Sequence, residues 1–234
     1  MATKKRSYRE ACRFAYALDL VGERWALLVV RELLLGPKRF TDLRVGLPHA
    51  STNILAERLR ELEQNAIVRR RKLPPPAGSS VYELTEWGRE LEPIVTQLGA
   101  WGARSPIPPD FEEIGVDSIV LALRSLFDPE VAGDLNTTYE LRIGEERFRV
   151  DVAGGEVEVE RGSASDPAAA LAIPDAATLA AVLTGQLPFD EALASGALRV
   201  DGGKQAAKRF LRFFPMPDPC ACDASAAPVE AVAG

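Results

Sequence analysis

The spacing of hydrophobic residues changes near the middle of the chain. Up to about residue 101, apolar side chains recur every three or four positions, which predicts amphipathic helices. These helices cover residues 12–21, 23–35, 41–47, 51–64 and 85–101. Ser51 is the expected N-cap of the helix at 51–64, because its hydroxyl oxygen can accept a backbone N–H of the first turn. In that helix, Leu55, Leu59 and Leu62 predict the buried face.

A basic β-hairpin is predicted between the last two of these helices. Its strands lie at 67–73 and 81–84, and its tip contains three prolines. The first strand carries four consecutive cations, Arg69 to Lys72, of which about two face any one surface because side chains alternate along a strand. Helices joined to such a hairpin predict a winged helix-turn-helix fold, in which the helix at 51–64 enters the DNA major groove and the hairpin lies along the phosphate backbone.

The predicted DNA contacts come from both parts of this fold. Guanidinium groups of the hairpin suit phosphate oxygens, and so do the hydroxyls and backbone N–H groups at a helix N-terminus. Asn53 and Arg60 are suited to base edges, because Asn pairs with adenine and Arg with guanine. Arg58 lies beside the leucine face, where a structural role is the alternative. The full predicted set is Lys38, Arg39, Ser51, Thr52, Asn53, Arg58, Arg60, Arg69, Arg70, Arg71 and Lys72.

The second half of the chain predicts an α+β domain. Apolar residues alternate with charged ones at 139–143, 148–152 and 157–159, which indicates an antiparallel meander with one buried face. Further strands are expected at 168–173 and 198–200. Helices are expected at 119–127, 175–183, 188–194 and 204–214.

The charge of the chain divides at the same boundary. The whole chain has 28 Lys and Arg against 34 Asp and Glu, a net charge of −6 that by itself argues weakly against a nucleic-acid partner. Residues 1–105, however, have 18 basic and 12 acidic residues, whereas residues 106–234 have 10 and 22. The predicted organisation is a DNA-binding and dimerisation domain at 1–104, a linker at 105–115, an α+β domain at 116–215 and a disordered tail at 216–234.

Composition argues against secretion, membrane insertion and catalysis. Three cysteines do not form a disulfide framework, and the apolar runs are far shorter than the ~18 residues of a membrane span, so we expect a cytoplasmic protein. His49 is the single histidine, and no glycine-rich phosphate loop is present. Cys220 and Cys222 offer too few ligands for a zinc site. We therefore expect no enzyme activity, no cofactor and no metal.

The first half resembles the HxlR family of bacterial winged-helix transcription regulators. The similar segments are residues 12–20, 22–28, 31–33, 35–43, 55–62 and 82–88, within a similarity that covers about residues 10–103. The resemblance implies a homodimer, formed through the N-terminal and closing helices, that binds a palindromic operator. It places Phe14, Tyr16, Leu91, Leu98 and Trp101 in the dimer interface.

The resemblance also concerns Cys12. Some members of the family use the N-terminal cysteine as a thiol sensor, which makes Cys12 a possible redox sensor here. The alternative is that Cys12 is a small buried apolar residue in the dimer helix. Members commonly have proline directly after this cysteine, where this chain has Arg13.

The second half resembles a sterol-carrier-protein type 2 domain over about residues 116–214, through the segments 139–143, 183–185 and 191–202. That resemblance implies an apolar tunnel for lipids or acyl chains. Its lining would be Phe127, Phe148, Leu183, Phe210 and Phe214, which could instead fill a close-packed core.

The sequence thus predicts a dimeric DNA-binding transcription regulator whose second domain senses a hydrophobic small molecule. A lipid or acyl-chain carrier, in which the winged helix serves assembly, is the alternative. An enzyme that uses a cavity of the second domain is a third hypothesis.

Overall fold

The computed structural model describes residues 7–74, 78–105, 114–218 and 220. The N-terminal half contains α1 (Arg13–Val21), α2 (Ala26–Leu34), α3 (Phe40–Gly46), α4 (Thr52–Gln64), β1 (Val68–Lys72), β2 (Ser80–Leu84), α5 (Glu86–Arg89) and α6 (Glu92–Gly102). The C-terminal half contains α7 (Val116–Leu126), α8 (Pro129–Ala132), β3 (Thr137–Ile143), β4 (Glu146–Ala153), β5 (Glu156–Arg161), β6 (Ala169–Ile173), α9 (Ala176–Leu183), α10 (Phe189–Ser195), β7 (Arg199–Gly202) and α11 (Lys204–Arg212). The predicted combination of a winged helix-turn-helix and an α+β domain is confirmed.

Helix α4 begins where the sequence predicts. The Ser51 hydroxyl accepts the Ile54 N–H at 3.3 Å, and Leu55, Leu59 and Leu62 are buried against the other helices. Helix α3 begins one residue earlier than predicted, at Phe40. The Asp42 carboxylate stabilises this end by accepting the Arg39 N–H at 3.0 Å, so that Arg39 is the N-cap residue.

The predicted closing helix at 85–101 is two helices, α5 and α6. Thr85 does cap α5, since its hydroxyl accepts the Gly88 N–H at 3.0 Å. At Gly88 an added Cβ would lie 2.0 Å from the Ile67 carbonyl oxygen, so only glycine allows this close approach. Pro93 lies in the first turn of α6, where its missing N–H does not cost a helical hydrogen bond.

The sheet of the C-terminal half has the strand order β5-β4-β3-β6-β7. Strands β3, β4 and β5 form the predicted antiparallel meander, whereas β6 pairs with β3 in parallel. The connection from β5 to β6 crosses the sheet from its edge to the far side of β3, which makes the sheet mixed. The side chains of its inner face are fully buried, for example those of Tyr139, Leu141, Phe148 and Val150.

The two halves pack against each other through α2 and α6 on one side and α7 on the other. Ion pairs cross this interface: the Lys38 Nζ lies 2.5 Å from Asp117 Oδ2, and Arg124 pairs with Glu92. Lys38 also pairs with Glu32 at 2.5 Å, and both carboxylate side chains around it are almost fully buried. This charged cluster links the start of α7 to the segment between α2 and α3.

Two predicted segments lie partly outside the described residues. Most of the expected linker at 105–115 falls there, as does the tail at 216–234 apart from residues 216–218 and 220. The Cys220 N–H donates to the Arg104 carbonyl at 2.8 Å. None of the helices that the structure describes is long and apolar enough to cross a membrane.

Candidate nucleic-acid interface

Helix α4 presents a polar surface on the side opposite its leucines. Ser51, Thr52, Asn53 and Arg60 are all exposed. The Arg60 Nε donates to the Ala56 carbonyl at 3.2 Å, which leaves the two terminal guanidinium nitrogens without a partner among the described residues. Arg60 can therefore present its paired N–H groups to a base, and Asn53 its amide.

Arg58 has a different position from these residues. Its side chain is only 10% exposed and lies 2.5 Å from a Glu61 oxygen, with Glu57 at 3.6 Å and Glu23 at 3.7 Å. A guanidinium surrounded by three carboxylates serves the packing of α4, which was the alternative reading of this residue. We therefore leave Arg58 out of the interface proposed below.

The hairpin, called the wing below (β1, β2 and their connection), divides its cations between two faces. Arg69 and Arg71 both donate to Glu83, from Nε to Oε1 at 2.7 Å and from Nη2 to Oε2 at 2.8 Å. Arg70 lies over the Tyr82 ring at 6.0 Å, and Lys72 is exposed beside Ser80. The described residues hold no carboxylate that pairs with Arg70 or Lys72.

Glu83, which binds two of the wing arginines, was not among the residues predicted from the sequence. It is 5% exposed, and hydrogen bonds from Arg71 and then Arg69 hold the pKa of its carboxyl below the ordinary value despite burial. The signal was present in the sequence, because hairpin pairing places Glu83 directly opposite Arg69. The carboxylate fixes two guanidinium groups on one face and leaves Arg70 and Lys72 on the other.

Lys38 and Arg39 were both predicted to contact DNA, but their side chains lie in different surroundings. Arg39 is exposed at the start of α3. The Lys38 side chain is 12% exposed and is held between Glu32 and Asp117. Its backbone also pairs with Tyr82 of β2, with N···O distances of 3.0 and 2.8 Å. Lys38 thus joins the wing to the C-terminal half, and it is not part of the interface proposed below.

Helices α1 and α6 carry large apolar side chains that face solvent. The exposed fractions are 73% for Phe14, 54% for Tyr16, 50% for Leu98 and 74% for Trp101, whereas Leu91 is half-buried. Large apolar side chains that face solvent on two helices are typical of an interaction surface.

Cys12 is the N-cap residue of α1, and its side chain is exposed within one protomer. The alternative interpretation predicted a buried apolar side chain at this position. The backbone N–H groups of Ala15 and Phe14 at the start of α1 lower the pKa of its thiol, because they stabilise the thiolate.

The predicted tunnel residues of the second domain belong to its hydrophobic core, and three of them, Phe127, Phe210 and Phe214, form a ring cluster. Phe148, Phe210 and Phe214 are buried, and the ring centroids of Phe210 lie 4.8 Å from Tyr139 and 5.0 Å from Phe214. Phe127 and Leu183 are partly buried against the same core. This arrangement is that of a close-packed core, the alternative reading of these residues. In the described part of the chain, no group of three or more His, Cys, Asp or Glu is placed to hold a metal ion.

Comparison with known proteins separates the two halves. Residues 20–107 match the family described as HxlR-like helix-turn-helix, and residues 116–220 match the family described as alkyl sulfatase C-terminal. The resemblance of the second half to a sterol carrier is therefore not confirmed, since the family found there is a different one.

Two curated relatives each align with less than half of this chain. The uncharacterized HTH-type transcriptional regulator YvaP of Bacillus subtilis is 39% identical over 103 residues, which are 44% of this chain and 94% of the relative. The HTH-type transcriptional regulator YodB of Bacillus subtilis is 42% identical over 94 residues, 40% of this chain and 84% of the relative. A solved structure, the redox regulator HypR in its oxidized form, is 35% identical with a TM-score of 0.39 and covers 42% of this chain and 100% of that one.

Proposed function

Since this chain belongs to the HxlR-like helix-turn-helix family of transcriptional regulators and is itself a DNA-binding transcription regulator, we propose that it binds a palindromic operator as a homodimer. The observation that carries the proposal is the exposed cationic strand β1, which follows directly on a helix with an exposed polar face. A winged helix uses such a helix in the major groove and such a hairpin on the backbone.

The chemistry of each side chain decides whether we assign it to the phosphates or to the bases. Arg70, Lys72 and Arg39 contact phosphates, as do the hydroxyls and free N–H groups at Ser51 and Thr52. Phosphate contacts give affinity and register but no sequence information. Asn53 lies in the first turn of α4 and Arg60 lies about two turns further along the same face, and we assign base reading to these two residues. Arg69 and Arg71 hold the wing in shape through Glu83 and add to its positive field.

The apolar residues of α1 and α6 supply the dimer contact. Phe14, Tyr16, Leu98 and Trp101 are each at least half exposed in the single chain, and a second copy would remove them from water. Leu91 lies at the edge of this surface, half-buried against the core. Dimerisation places two copies of α4 about 34 Å apart, so that both meet successive major grooves on one side of the duplex.

The acidic C-terminal domain has a regulatory role in this proposal. It is packed against α2 and α6 and is linked to the wing through Lys38, so a ligand bound there can alter the position of the DNA-contacting elements. The proposed ligand is a hydrophobic small molecule. The protein acts in the cytoplasm, where its DNA lies, without catalysis. A lipid carrier is the alternative, but it would leave the exposed polar face of α4 without a function, which favours the regulator.

Selection of genomic fragments from the source organism, followed by sequencing, tests the proposal. The wild-type protein is expected to enrich a motif with two-fold symmetry. Asn53→Ala/Arg60→Ala loses that motif while it keeps general DNA binding, at a cost of about 1–3 kcal/mol for each lost base contact. Asn136→Ala/Arg212→Ala makes the same changes at exposed positions of the second domain and serves as the control. A wild-type protein that enriches no motif at about 50 mM salt would favour the carrier.

A further inference from the structure

A cleft opens between the two halves, beside the connection from α3 to α4. Its volume of about 590 Å³ is in the range that proteins use for small molecules, roughly 300–1,000 Å³. Leu28 and Val45 form its wall on the N-terminal side, and Ile114 and Ala177 face them from the C-terminal side. Val45 is 81% exposed and Ile114 39%, although both are apolar. The cleft thus offers apolar surface that a bound molecule would cover.

The polar groups of this interdomain cleft favour an acidic ligand. The Arg31 Nη2 donates to Glu32 at 2.9 Å, but its Nε is buried and has no hydrogen-bond partner. The Arg31 side chain as a whole is 23% exposed and lines the cleft, so its accessible guanidinium N–H groups can donate to an anionic ligand. His49 also lines the cleft, and its ring has no partner among the described residues. Asp175, the carboxylate that lines the cleft, is already occupied as the N-cap of α9, where it accepts the Thr178 N–H at 2.7 Å.

A strained residue forms part of the same wall. Trp25 has a φ of 77°, in the left-handed region that a bulky side chain rarely adopts. Its ring is also covered by the Arg24 guanidinium at 5.3 Å. Such strain persists where the surrounding structure fixes it, and it is common at ligand sites. Here it holds an indole ring at the edge of the cleft.

We propose that the interdomain cleft binds a small, largely apolar molecule with one acidic group. The acidic group accepts from Arg31, and the apolar body lies between Leu28 and Val45 on one side and Ile114 and Ala177 on the other. Ligand binding in the cleft does not depend on DNA, but the effect of the ligand on operator binding rests on the proposed function. His49 belongs to the connection that positions α4, so a ligand that touches both halves biases the orientation of the recognition helix.

Two fluorescent probes test the site on the full-length protein without DNA. 1-Anilinonaphthalene-8-sulfonate is an apolar acid, and N-phenyl-1-naphthylamine is its neutral counterpart. Wild-type protein is expected to bind the sulfonate saturably and about tenfold more tightly than the amine. Ala177→Trp fills the cleft from an exposed position and weakens sulfonate binding at least about tenfold, whereas Ala194→Trp, an exposed alanine of α10, leaves it unchanged.

A charge variant separates acid recognition from apolar burial. Arg31→Met keeps an unbranched apolar stem and removes the guanidinium donors, so the preference for the sulfonate over the amine should disappear while amine binding persists. If wild type and Ala177→Trp bind the sulfonate equally, the proposed site is wrong. The site is also wrong if sulfonate binding is lost only in Trp101→Glu, because the probe would then lie on the exposed surface of α6. Failure of the operator selection would instead overturn the proposed function, since probe binding does not depend on DNA.

Discussion

The salt dependence of DNA binding reports how many wing cations contact phosphates. Arg70 and Lys72 lie on one face of β1 with no carboxylate partner in the part of the chain that the structure describes. Arg69 and Arg71 lie on the other face and are bound to Glu83. Arg70→Gln/Lys72→Gln therefore removes two phosphate-binding charges per protomer without leaving a buried carboxylate unpaired.

The magnitude follows from counterion release. Each phosphate that a protein neutralises changes the slope of log K against log salt by about −0.9. Two lost contacts in each protomer are four in the dimer, so the slope of the variant should be shallower by about 3.6. Between about 50 and 200 mM salt, this difference means that the wild type loses roughly 10²-fold more affinity than the variant.

Fluorescence anisotropy with the selected duplex at several KCl concentrations measures both slopes. Arg209→Gln/Arg212→Gln removes the same charge from exposed positions of α11 and should keep the wild-type slope, because these residues belong to the second domain. If Arg70→Gln/Lys72→Gln has the slope of the wild type, or if the α11 control loses as much slope, the wing does not bind the DNA backbone and the reasoning from its geometry fails.

Three further results are expected. Glu83→Gln should lower the free energy of unfolding at pH 7 by about 1–3 kcal/mol, because it removes the charge of the carboxylate that accepts three hydrogen bonds from Arg69 and Arg71. Since the pKa of Glu83 is lowered in the folded protein, chiefly by Arg71, its contribution is complete above the ordinary carboxyl pKa and is lost as the pH falls through the lowered value. Urea titrations at pH 7 and pH 3 should therefore show wild type and variant converging in acid; a constant difference would contradict this. Trp101→Glu should give a monomer in sedimentation velocity, since it places a charge in the apolar surface of α6, and a persistent dimer would refute that surface. Cys12 should react with iodoacetamide at a lower pH than a free cysteine, because backbone N–H groups stabilise its thiolate; a midpoint near 8.5 would count against thiol sensing.

Local features of the fold were predictable because they depend on neighbouring residues. The cap at Ser51 and the buried Leu55, Leu59 and Leu62 follow from spacing alone, and so do the alternating strands β3 to β5. The parallel pairing of β6 with β3 was not predictable, since both parallel and antiparallel partners accept the same apolar segment. The register of such a strand is set by a crossover that spacing does not reveal.

The sequence predicted which types of residue form the candidate DNA interface, but not which of those residues are free to contact DNA. The sequence indicates which residues are cationic, and the structure decides which of them are already neutralised. Arg58 and Lys38 are paired with carboxylates, and for Lys38 one of them, Asp117, comes from the other half of the chain. A contact between residues so distant in sequence depends on how two domains pack. The interdomain cleft escaped sequence reasoning for the same reason, because each half supplies only one wall.

Hydroxyl-radical footprinting of the selected duplex tests the central claim most directly, that two copies of α4 and the wing hold one operator. Two protected segments are expected on each strand, related by two-fold symmetry and one helical turn (~10 base pairs) apart. The wing of each protomer should protect the backbone that flanks these segments, and this flanking protection should be lost in Arg70→Gln/Lys72→Gln. A single protected segment, or flanking protection that persists in this variant, would contradict this claim.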